Sequence, residues 1–219
     1  MPIDYTKRPK QAPQAAQPAG PVVLTKSAPT VSLAKHTSGT LRVNLNWTAR
    51  PSEPGGFFRK AARPLDLDLG CLYEFADGTK GVVQALGNSF TAGTRVSRTP
   101  VIRLDADDRS GSTAGGENLF VDLGQTAQIR RILVFALIYE GAANWASAAG
   151  VATLYPASGP TITINLDDPR DGARICAIAQ LRSEGGELVV QREVNYINGG
   201  QRALDEAYGW GMRWVAGRK

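Results

Sequence analysis

The chain has 219 residues, 42% of them hydrophobic, and a formal charge of +5 from 25 Lys and Arg against 20 Asp and Glu. At about 150 residues per domain this is one domain, or one domain with a tail, and the composition is that of a globular protein with a real core. Two cysteines far apart, Cys71 and Cys176, exclude a disulfide scaffold, a zinc ribbon and a C-x-x-C redox motif, and a single histidine, His36, argues against a Ser-His-Asp triad or a His-rich metal site.

Residues 1–21 hold five prolines among Gln and Ala and almost no large apolar side chain. Such a segment buries too little surface to offset its ordering entropy, so it reads as a disordered N-terminal arm before a single domain over 22–219. From Val22 onward short apolar runs alternate with turn residues. Strands are predicted at Val22–Leu24, Val31–Leu33, Leu41–Trp47, Leu65–Phe75, Gly81–Leu86 and Val101–Leu104. They continue at Leu119–Leu123, Ile132–Tyr139, Val151–Tyr155, Ile162–Leu166, Ile175–Leu181 and Leu188–Val194. Asp77-Gly78 and Gly185-Gly186 are predicted two-residue hairpin turns, and Arg50–Pro64 an exposed loop. Short helices are expected at Ala142–Ala149 and Gln201–Tyr208. The fold class that follows is all-β: an antiparallel β-sandwich with one or two short helices. The longest apolar run, Ile132–Tyr139, falls far short of the roughly 20 residues of a membrane helix, and no signal-peptide core follows Lys7, Arg8 and Lys10. A soluble, cytoplasmic protein with no membrane span is expected.

Two acidic segments stand out against the basic background. In Pro64-Leu-Asp-Leu-Asp-Leu-Gly70, strand alternation puts Asp66 and Asp68 on one face and the leucines on the other. Like charges so placed repel unless something neutralises them. The segment Asp105-Ala-Asp107-Asp108-Arg-Ser-Gly111 runs through a glycine-rich turn to Glu117-Asn118. A loop rich in hard oxygen donors, with glycines to fold around a point, suits Ca²⁺. It is not an EF-hand: position 6 is Ser110 and position 12 is Gly116. A solvated loop explains the same residues, and Arg63, Arg103 or Arg109 are alternative partners for Asp66 and Asp68.

Leu65-Asp-Leu-Asp-Leu-Gly70 resembles the D-L-D motif of the tellurium-resistance TerD family of stress proteins, and Asp107-Asp108-Arg109-Ser110-Gly111 resembles that family's D-N-R-T-G stretch. Gly116-Glu117-Asn118-Leu119 through Val121-Asp122-Leu123 is similar to its D-D-E-x-I-x-V-D-L segment, and Ile129–Phe135 to its following strand. Tyr73-Glu74, Asp77-Gly78, Gly81–Asn88, Ile138–Gly141, Asn144-Trp145 and Ala207–Gly211 resemble the TerA-like branch of the family. The resemblance covers roughly 22–219. It implies a non-enzymatic, calcium-binding β-sandwich in tellurite and general stress responses, working with paralogues and an integral membrane partner at the inner face of the membrane. Its ligands would map onto Asp66, Asp68, Asp107, Asp108 and Glu117; Asp105 is added from the residue pattern itself. Where the family has two acids before the Glu, this chain has Gly115-Gly116, which points to a single, weakened site.

Two other function classes fit parts of the sequence. The same carboxylates on Mg²⁺ would suit a metal-dependent hydrolase, although no nucleophile, base or phosphate loop accompanies them. A nucleic-acid-binding module could use the basic–aromatic C-terminus, Trp210, Arg213, Trp214, Arg218 and Lys219, but docking of that segment on the sheet explains the same residues. His36 reads as a surface turn residue. Cys71 and Cys176 read as buried small hydrophobes, with thiolate chemistry on tellurite the alternative. Asp167-Asp168-Pro-Arg-Asp171 reads as a solvated turn partnered by Arg170 and Arg174, and Trp145 as core or lid packing.

Overall fold

The computed structural model describes residues 20–33, 38–47, 65–105 and 115–215. In chain order the strands are β1 (Val22–Val23), β2 (Thr30–Leu33), β3 (Thr40–Asn46), β4 (Asp66–Phe75), β5 (Lys80–Val83), β6 (Thr91–Ala92) and β7 (Ile102–Leu104). They are followed by β8 (Glu117–Asp122), β9 (Ile129–Glu140), β10 (Gly150–Tyr155), β11 (Ile162–Leu166), β12 (Ile175–Glu184) and β13 (Glu187–Ile197). Helix α1 (Trp145–Ala148) precedes β10 and α2 (Gln201–Tyr208) follows β13. Every predicted strand and both helices are present. Residues 1–19 of the predicted arm, the 50–64 loop, His36, Arg218 and Lys219 lie outside the described residues.

The strands form two sheets, in the orders β1-β11-β10-β3-β8-β7-β6 and β2-β13-β12-β9-β4-β5. All pairs are antiparallel except β1 with β11. Strict alternation drives the packing: Leu41, Val43 and Leu45 of β3, Leu119 and Val121 of β8, and Leu67, Leu69 and Cys71 of β4 meet in one core between the sheets. That core is the sandwich.

A second, smaller core lies outside the six-stranded sheet. There Leu72, Leu133, Phe135, Ile175 and Ala177 are covered by Leu204 of α2 and by Trp210 just beyond it. Gly209 ends α2 in the left-handed region at φ 61°, as a helix C-terminus often requires. The chain then turns back across the sheet. Asp205 holds it there, accepting from Gly211 N at 2.6 Å, Met212 N at 2.9 Å and Trp214 Nε1 at 2.7 Å. The C-terminal aromatics are thus a docked cover.

Two turns test the hairpin expectations. Gly185-Gly186 is a two-residue turn between paired Glu184 and Glu187, with both glycines at positive φ. Asp77-Gly78 is one residue longer than predicted: Phe75 N donates to Thr79 O, so Ala76, Asp77 and Gly78 form a three-residue loop. Gly78 at φ 83° takes the left-handed position such loops need.

Candidate metal centre

Strand β4 carries Asp66 and Asp68 on the face of Leu72, with Leu67 and Leu69 turned to the main core, as alternation predicts. Both aspartates are buried, at 7% and 4% exposure. Strand β5 accompanies β4 only from Cys71 to Glu74, so the Asp66–Gly70 half has one strand neighbour, β9, among the described residues. At this bare edge Leu69 N donates to Glu117 Oε2 at 2.6 Å. Glu117 opens β8 in the other sheet, faces the interior, and is 1% exposed. One carboxylate therefore bridges the sheets and brings the end of the acidic loop to the backbone beside Asp68.

An acid not singled out in the sequence joins this neighbourhood. Glu140, the last residue of β9, stands directly opposite Asp66, and the register then slips by one, leaving Tyr139 as a bulge. Like charges at opposed positions are destabilising unless a cation or donor intervenes. The clue was the spacing of β4 and β9, and it becomes readable only once their register is known.

Asp105 has a different task. Its two oxygens accept from Asn118 N and Asn118 Nδ2, both at 2.9 Å, and its own N–H donates to Asn118 O. Asn118 is in turn tied to Asn44, whose Nδ2 lies 3.0 Å from Asn118 Oδ1 and also donates to the carbonyls of Gly115 and Glu117. These bonds close the base of the 105–117 loop on the outer side of the seven-stranded sheet. Asp107 and Asp108 lie outside the described residues. Among the described residues no group of three or more His, Cys, Asp or Glu stands in metal-holding array.

The second glycine before Glu117 has a steric reason, whereas a side chain at Gly115 would meet open space. Gly116 sits at φ 61°, and a Cβ there would lie 2.1 Å from Leu45 O. An acid in this position would displace backbone, so the family's second carboxylate does not fit the turn this chain makes.

The remaining candidates fall to structure. Cys71 and Cys176 are fully buried, and burial pushes both thiols up, so neither is a ready thiolate. Trp145 is buried, donates to Ala173 O at 2.7 Å and packs on Tyr196. Arg170 pairs with Asp168 as expected, and this hydrogen bonding holds the Asp168 carboxyl below the usual range. Arg174 does not join that turn; it donates to the carbonyls of Ile138 and Tyr139 instead. Arg103, a candidate partner for Asp66 and Asp68, lies over the ring of Phe120.

A charge cluster absent from the sequence reading surrounds Glu74. The side chain is nearly buried, yet Arg131 Nε lies at 2.7 Å, Arg130 Nη1 at 3.1 Å and Lys80 Nζ at 3.8 Å. Arg130 and Arg131 would face opposite ways on a regular strand. A bulge at Arg130, where Glu74 pairs with Arg131 and Phe75 with Ile129, lets both reach one carboxylate. Burial alone would raise the Glu74 pKa, but the Arg131 hydrogen bond and the charges of Arg131, Lys80 and Arg130 outweigh it and hold it low.

No family model matches the chain. Over 202 residues, 90% of its length, it is 41% identical to a protein named tellurium resistance protein TerA from Alcaligenes sp, and it spans 58% of that relative. Identity at this level over 90% of the chain makes it TerA-like in sequence over the part of that relative it spans.

Proposed function

We propose that the chain is a calcium-binding, non-enzymatic protein of a tellurite-resistance stress response. It would act in the cytoplasm as a scaffold in a complex with related sandwich proteins and an integral membrane partner. The observation that carries the calcium reading is the Glu117 bridge: a buried carboxylate of β8 meets β4 beside the buried Asp66 and Asp68. Carboxylate oxygens are the hard donors Ca²⁺ takes, and Glu117 brings one to the strand that carries Asp66 and Asp68. Asp66, Asp68 and Glu117 would hold the ion together with Asp107 and Asp108 from the loop, while Asp105 positions the loop through Asn118 instead of facing the metal. A bound divalent cation would neutralise the opposed acids of β4 and the loop. The residues themselves then lock the loop to the sheet edge, which fixes a surface for partners. Among the described residues no helix is long and apolar enough to cross a membrane, in keeping with attachment through a partner.

Calorimetric titration of chelator-stripped protein with Ca²⁺, with Mg²⁺ as control, tests the reading. Saturable, Ca²⁺-selective binding is expected, with a calcium-dependent rise in melting temperature. Replacing Asp107 and Asp108 together by Ala should remove that rise and leave the metal-free melting temperature unchanged. Absence of both heat and thermal shift in the parent protein would sink the calcium reading.

A further inference from the structure

The outer face of the seven-stranded sheet carries a row of side chains that the metal reading does not use. Register places Tyr155 of β10 opposite Arg42 of β3, Arg42 opposite Phe120 of β8, and Phe120 opposite Arg103 of β7. All four side chains are at outward positions, since their neighbours Leu154, Leu41, Val43, Leu119, Val121, Ile102 and Leu104 are buried. Aromatic and guanidinium groups alternate across four adjacent strands. The Arg42 guanidinium carbon sits 4.1 Å from the Tyr155 ring centroid, and that of Arg103 sits 4.3 Å from the Phe120 centroid. At about 4.8 Å per strand, the two arginines rise from backbones roughly 10 Å apart. Among the described residues neither makes an ion pair, and each guanidinium lies over a ring. Beside Arg103 and Phe120 a groove of about 530 Å³ opens, walled also by Thr40, Thr99, Pro100 and Asp122.

We infer that this face is a binding site for single-stranded nucleic acid. Guanidinium groups held over rings carry a plane on which a base can stack and N–H groups that meet phosphate oxygens. A sheet surface with aromatic groups in a row spaces such contacts along a strand of nucleotides, and the groove at Phe120 has room for a base. Of the surrounding outward residues, Thr153, Thr163 and Asn118 are polar and uncharged, while the acids Asp105 and Asp122 accept hydrogen bonds from Asn118 and from Gly124 and Gln125. An anionic lipid surface fits less well. The row lacks the clustered lysines and exposed aliphatic side chains with which proteins hold bilayers. The net charge of +5 favours a polyanion in either case.

The test uses the full chain and a fluorescein-labelled mixed-sequence DNA 12-mer, followed by anisotropy at 50 and 200 mM salt with and without Ca²⁺. Parallel sedimentation uses vesicles of phosphatidylcholine with phosphatidylserine. Binding that weakens with salt is expected, and the variant Arg42→Ala/Arg103→Ala should lose about tenfold or more in affinity. Each phosphate contact removed lowers the salt slope by about 0.7, so the double variant should lose about 1.4. Arg103→Lys, which keeps the charge and loses the plane, should also bind more weakly than the parent. The melting temperature of the arginine variants should match the parent, since both side chains lie on the outer face. The proposal is overturned if the oligonucleotide does not bind at 50 mM salt, if the double variant binds as tightly as the parent, or if the vesicles alone are retained. Failure of calcium binding leaves this test untouched, because no residue of the row belongs to the metal centre.

Discussion

The two outer faces of the sandwich began from the same rule and ended differently. On the six-stranded sheet, Leu72, Leu133, Phe135 and Ile175 form an apolar patch at outward positions of β4, β9 and β12, and α2 with the segment behind it folds over them. On the seven-stranded sheet the equivalent positions are Arg42, Asn44, Asn118, Phe120 and Thr153, and they are only partly covered or exposed, apart from Asn44. An antiparallel sheet can leave one face to water, provided that its alternation is apolar inward and polar outward. The difference shows that the C-terminal segment is there to complete a core. It also leaves the opposite face as the one whose side chains can meet something else.

The largest test of this contrast is removal of the cover's anchor. Trp210 is 1% exposed, donates to Tyr73 O and is stacked by Arg131 at 3.8 Å. Trp210→Ala should cost about 3–5 kcal/mol in urea unfolding, since a large buried side chain leaves both lost transfer energy and a cavity. A loss below about 1 kcal/mol would mean that the cover is dispensable and the contrast false.

A smaller effect is expected at Glu74, under the edge of the same cover, where Lys80 and Arg131 also bind the carbonyls of Trp210 and Tyr208. Glu74→Gln strips the negative charge from three cations and should cost about 2–3 kcal/mol, below the usual range for breaking a buried pair because Arg130 is largely exposed. The pH signature has a definite sign. The folded pKa lies below the ordinary 4.5, so the contribution is fully present above that pH and is lost as pH falls through the depressed folded value. Thermal melts of the parent should therefore drop below about pH 4.5 more steeply than those of Glu74→Gln. Parallel curves would show that the pair does not set the acid limit.

The smallest effect should come from the open face. Asn44→Ala releases the loop base from Asn118 and Gly115 and should cost about 1–2 kcal/mol, the range for a buried donor's lost partners. If calcium is held as proposed, its affinity should fall with it, because the loop is then less ordered before binding. Calorimetry on this variant checks the coupling.

The amino-acid sequence by itself determined the sandwich. Period-2 alternation in β3, β4 and β8 is a local property, visible without knowing any partner, and so is the helix over Gln201–Tyr208. Only β6 escaped, because Thr91–Ala92 is two residues long and has no apolar run. The acids of β4 and Glu117 were also legible, since their residue types are informative wherever they lie. What only the tertiary structure decided was which of them meet and what each one holds. Glu117 reaches Leu69 because β5 stops at Cys71, Glu140 faces Asp66 because of register, and Asp105 is consumed by Asn118. Arg130 and Arg131 share Glu74 only because a bulge inserts one residue, and the arginine–aromatic row exists only across four strands far apart in the chain. Each of these depends on strand pairing, which is a long-range choice that no local pattern encodes.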